Sequence, residues 1–75
     1  MRRKLTINAY KSMTGKWWWS IRMANKATLA GSGGATLTWR TLQKHMRILT
    51  GVTPVFGPSI EKHGYTARVA VIWVE

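Results

Sequence analysis

The chain has 75 residues, no cysteine, and twelve Lys and Arg against two carboxylates, Glu61 and Glu75, for a formal net charge of +10. One small domain is the most this length supports, disulfides and thiolate metal sites are excluded, and paired-carboxylate or metal-dependent hydrolysis has almost no side chains to work with. So basic a surface attracts polyanions, which puts nucleic acid first among partners, ahead of an acidic protein and then anionic lipid.

Met1-Arg2-Arg3-Lys4 is a basic arm that resembles the start of a signal peptide. The residues after it, Leu5-Thr6-Ile7-Asn8-Ala9-Tyr10, are too polar and too regularly alternating for an apolar leader core. They predict a strand with Leu5, Ile7 and Ala9 facing inward. Lys11-Ser12-Met13-Thr14-Gly15 carries turn chemistry and ends on a glycine suited to positive φ, which closes a first hairpin.

Trp17-Trp18-Trp19-Ser20-Ile21-Arg22-Met23 is the second strand, because aromatic and β-branched side chains suit a pleated surface. With a period of two, Trp17, Trp19, Ile21 and Met23 build the core, while Trp18, Ser20 and Arg22 point the other way. An indole beside a guanidinium points to binding rather than catalysis. Ala24-Asn25-Lys26 reads as a tight turn and Ala27 to Ala30 as a third strand, with Ala27 and Leu29 on one face. Gly31-Ser32-Gly33-Gly34 then breaks it. Without the Lys-Ser/Thr of a phosphate-binding loop, this segment is a plain connection.

A helix follows from Thr36 or Thr38, either of which can cap it, to Thr50, with Gly51 as its stop. Trp39, Leu42, Met46 and Leu49 fall on one helical face and are assigned to the core; Arg40, Lys44 and Arg47 form a basic stripe on another side. Pro54, Gly57 and Pro58 mark 51–64 as a loop whose Val52, Val55, Phe56 and Ile60 are expected to close one end of the core. The last strand, Tyr65 to Val74, is apolar on both faces, so it is expected to be central or covered, a second copy of the chain being one possible cover. Its apolar run Val69–Val74 is too short to cross a bilayer, and no membrane partner is expected.

The order predicts an α+β domain spanning 1–75: an antiparallel three-stranded meander packed on one helix (4–50), a loop (51–64) and a C-terminal strand (65–75). A crossover would bring that strand back beside the first and parallel to it; the alternative is exchange between subunits. His45 and His63 have no acidic orienter, so no catalytic, cofactor or metal site is expected. The absence of cysteine leans toward the cytoplasm.

Tyr10-Lys11, Gly15 to Asn25, Leu29-Ala30 and Ser32-Gly33 together resemble the repeat of YegP-like proteins, which runs through a Lys-Trp-aromatic-Trp strand, an Ala-Asn turn, an Ile-Ala strand, a Ser-Gly break and a helix. The likeness covers about Lys4 to Leu49. It implies a three-stranded sheet with one helix, in tandem or as a dimer, and little chemistry. A looser architectural similarity links the chain to three-stranded-sheet DNA readers, the N-terminal domains of tyrosine integrases and the plant ethylene-response-factor domains. In that likeness Trp18, Ser20, Arg22 and Thr28 would take the groove-facing places.

Two readings of function follow. In the first, the chain is a small, non-enzymatic nucleic-acid-binding module with weak sequence preference: Lys16, Arg22 and Lys26 on the hairpin and Arg40, Lys44 and Arg47 on the helix neutralise phosphates, and Trp18 stacks on a base. In the second, it is a homodimeric interaction protein of the phage or mobile-element type that docks on an acidic host protein and inhibits or modulates it, since Trp and Arg are also the usual anchors of protein interfaces.

Overall fold

The computed structural model describes residues 3–24 and 28–74, the side chain of Lys62 apart. Its elements are β1 (Arg3–Lys11), β2 (Trp17–Met23), β3 (Thr28–Gly31), α1 (Trp39–Thr50), β4 (Ile60–Lys62) and β5 (Tyr65–Val74). The strands form one five-stranded sheet in the order β3-β2-β1-β5-β4. Every neighbouring pair is antiparallel.

β1 and β2 close a hairpin in which Lys11 faces Trp17 and Leu5 faces Met23. Gly15 turns the chain at φ 85°, which suits a residue without Cβ. The Ala24-Asn25-Lys26 turn read from the sequence lies outside the described residues. β3 slips register beside Ile21 and Arg22, pairing them with Ala30 and Thr28 and leaving Leu29 over. Past β3, the Ser32 hydroxyl accepts from the Trp19 amide at 2.9 Å, and Ser32 N–H donates to the Trp19 carbonyl at 3.0 Å. The Gly-rich break therefore stays tied to the sheet edge. Leu37 then returns to exchange two backbone hydrogen bonds with Trp17, at 2.7 and 3.1 Å. Thr38 caps the helix, its hydroxyl accepting from Thr41 N–H, and Gly51 ends it at φ 75° with its own amide on the Arg47 carbonyl.

α1 lies across one face of the sheet. The core beneath it holds Leu5, Ile7, Ala9, Trp17, Trp19, Ile21, Ala70 and Ile72 from the strands, Leu42 and Met46 from the helix, and Phe56. This is the inward set expected of β1 and β2 except for Met23, which at the end of β2 is only partly buried against the core. The helix assignment holds for Leu42 and Met46, and Trp39 packs partly buried against the core. It does not hold for Leu49, which is 57% exposed. Leu49, in the last helical turn, lines an open cavity with Leu5, Ile21, Leu29 and Val74 instead of closing onto them.

The C-terminal third departs from expectation in three respects. β5 lies beside β1 within the chain, one of the two arrangements left open, but antiparallel rather than parallel to it, Ile7 facing Ala70 and Lys11 facing Thr66. The reason is a further strand inside the segment read as a loop: β4 pairs with β5 through the two-residue turn His63-Gly64, both at positive φ, as a type I′ hairpin requires. Of the four apolar residues expected to close the core, only Phe56 does; Val52, Val55 and Ile60 are exposed. Phe56 is held by Arg68. The Arg68 guanidinium lies 4.6 Å from the Trp39 ring centroid and 5.9 Å from that of Phe56, and its Nε donates to the Gly57 carbonyl at 3.0 Å. Trp17, Trp39 and Phe56 thus form a continuous aromatic run, with centroid separations of 4.4 and 5.0 Å.

Candidate nucleic-acid interface

Alternation along each strand puts the remaining side chains on the sheet face opposite α1. The register sorts them into cross-strand rows. Trp18, Tyr10, Ala67 and Ile60 make one row; Ser20, Asn8 and Val69 the next; Thr28, Arg22, Thr6 and Val71 a third; Lys4 and Trp73 a fourth. No element covers this face among the described residues.

At one end the face is aromatic. The Tyr10 and Trp18 rings stack with centroids 5.1 Å apart and planes 25° from parallel. Tyr65 stands edge-on to Tyr10 at 5.6 Å and tilted to Trp18 at 5.9 Å. All three rings are half-buried. Trp18 is therefore neither a lone ring in water nor a covered core residue, and the last-strand residue beside it is Tyr65, since Trp73 sits at the other end of β5.

Toward the middle and far end the β1–β2 half of the face is polar and basic, while the β5 half is an exposed apolar stripe of Val69, Val71 and Trp73. Lys4, Thr6, Asn8, Arg22 and Met23 line a groove of about 410 Å³. Glu61, the sole carboxylate side chain among the described residues, pairs with Thr66 and so belongs to the helix side of the sheet. The open face carries cations and no acid among those residues, and Glu61 comes near it only at the sheet edge, where it shares a cavity with Tyr65, so positive charge dominates the field of the face.

The site residues read from the sequence fall on two surfaces. Trp18 and Arg22 share the open face, four residues apart on β2, and Lys16 is exposed just before that strand. Arg40, Lys44 and Arg47 are exposed on α1, on the other side of the sheet. The two sets are not brought together. Lys26 lies outside the described residues. Among the described residues no three His, Asp or Glu side chains come together as metal ligands would, and no helix is long and apolar enough to cross a membrane.

No family model, curated protein or solved structure matches the chain. Tyr10, Tyr65 and Lys4 belong to the open face as much as Trp18 and Arg22 do. Closing the β1–β2 hairpin on Gly15 already sets Tyr10 opposite Trp18, whereas Tyr65 reaches them only through the β1–β5 pairing.

Proposed function

We propose that the open sheet face binds nucleic acid, with bases stacking on the Tyr10–Trp18–Tyr65 platform and Lys4, Lys16 and Arg22 neutralising phosphates. The observation that carries this reading is a stacked aromatic platform beside a basic groove, on a face without a carboxylate among the described residues. Stacking is tolerant of sequence, since every base has a π-face, and the groove offers no bidentate base-reading pair, so sequence preference is weak. The helix stripe of Arg40, Lys44 and Arg47 strengthens the long-range field and touches only ligands long enough to pass round the sheet.

The test is fluorescence anisotropy of labelled oligonucleotides at two salt concentrations. Three phosphate contacts give a log–log slope of about −2 on single strands, and Trp18→Ala costs about 1–3 kcal/mol in binding. Salt-independent binding, or full binding by Trp18→Ala, overturns the assignment. A second reading, a dimeric protein that docks on an acidic partner, is favoured by the apolar patch of Leu29, Ile48 and Leu49, which are 57%, 69% and 57% exposed around the helix rim. Sedimentation at micromolar concentration separates the two, because only the second requires a mass above 8.5 kDa.

A further inference from the structure

We propose that Trp73 is a second stacking station, so that the open face holds a single strand of about six nucleotides on a track from Trp18 to Trp73. The inference rests on the nucleic-acid reading above and adds to it a strand form, a length and a residue.

Trp73 is 55% exposed on the same face as Trp18, and the neighbours on its strand, Val71 and Val69, are 49% and 39% exposed. A large indole is left in water at the end of an apolar stripe. The register sets Lys4 directly opposite Trp73, and Tyr10 directly opposite Trp18. Each end of β1 therefore carries a pairing with one ring of the track. Lys4 and Tyr10 are six positions apart on β1, about 20 Å at roughly 3.4 Å per residue. At about 3.4 Å per stacked nucleotide that is a segment of about six, and fewer if the backbone is stretched. Between the two ends lie Asn8, Ser20, Thr6 and Arg22, which supply hydrogen bonds and a cation where the sugar-phosphate chain would pass.

The face selects a single strand because a base must be unstacked before it can lie on a ring, and a paired duplex shows no base faces to a flat sheet. It also disfavours a second copy as the cover. Two copies meeting on this face would bring Lys4 and Arg22 of each against the other, with a formal charge of +10 on each chain and no open-face carboxylate among the described residues to offset it. A polyanion removes that repulsion.

The experiment titrates the full chain against labelled thymidine dinucleotide, decanucleotide and a duplex decamer, with Trp18→Ala, Trp73→Ala and Trp73→Phe beside the wild type. Trp18→Ala is expected to weaken both single strands. Trp73→Ala is expected to weaken the decanucleotide by about fivefold or more and leave the dinucleotide, too short to span the track, essentially unchanged, with Trp73→Phe recovering most of the loss. Equal losses on both lengths, no loss on the decanucleotide, or a duplex bound as tightly as the single strand overturns the track. A dimer of the wild type that Trp73→Ala disperses overturns it too, because Trp73 then belongs to an interface between copies. Failure of the wild type to bind any of the three overturns the parent reading with it. Urea midpoints of both Trp73 variants identify a folding defect, and Trp73→Phe carries the test if the alanine variant fails to fold.

Discussion

Replacing Arg68 by alanine tests how the chain secures its longest irregular segment. The side chain leaves β5 on the helix side, lays its guanidinium 4.6 Å from the Trp39 ring centroid, and donates from Nε to the Gly57 carbonyl at 3.0 Å. The second donation, from Nη2 to the Phe56 carbonyl at 3.4 Å, is long and adds little. A cation on an aromatic face is worth about 0.5–2 kcal/mol, and a hydrogen bond from a charged donor about 1.5–3 kcal/mol. Arg68 is partly exposed, so the lower part of each range applies. The expected loss for Arg68→Ala is about 2–3 kcal/mol, or roughly 10–20 °C in Tm for a domain of this size. Arg68→Lys keeps a cation near the ring but not the planar fork, and is expected to recover no more than about half of it. Urea denaturation followed by circular dichroism measures both variants. The Gly57 N–H also donates to the Val69 carbonyl at 2.9 Å, so a loss below about 0.5 kcal/mol for alanine, or full recovery by lysine, would refute the claim that the guanidinium adds materially to that backbone bond in pinning Phe56 and Gly57 to β5.

Met46 is fully buried between helix and sheet, so Met46→Ala is expected to destabilise by about 2–5 kcal/mol in the same urea assay. Gly64 sits at φ 86° with room for a side chain, since a Cβ there would lie 3.8 Å from the Met13 sulfur. The cost of Gly64→Ala is therefore one of backbone conformation, about 1 kcal/mol by thermal melting, while Gly64→Asn is expected to cost less because Asn tolerates left-handed backbone.

What the sequence revealed is what local chemistry decides. The Trp17–Met23 strand, the Gly15 turn, the Thr38 cap and the Gly51 stop are each set by residues within a few positions of one another, and all are found. The direction of the last strand depends on β4, whose three residues are too few to show a period and whose His-Gly turn is not among the usual Asn-Gly or Asp-Gly signals. The interface divides along the same line. Trp18 and Arg22 share a face by alternation alone, but the Tyr65 edge of the platform and the position of Trp73 opposite Lys4 exist only once β5 pairs with β1. The helix stripe was legible as a stripe. Its remoteness from Trp18 follows from packing Leu42 and Met46 on the inward side of β2.

The contact between Trp17 and Trp39 gives the fold an optical reporter of its own. Their ring centroids are 4.4 Å apart and their planes cross at 51°. Two identical chromophores so close and so skewed share their excited states, and their transitions split into a pair of circular dichroism bands of opposite sign. One ring belongs to the sheet and the other to the first turn of the helix. The couplet therefore exists only while the helix is seated, and its amplitude reads docking of that helix separately from helix content, with no label introduced.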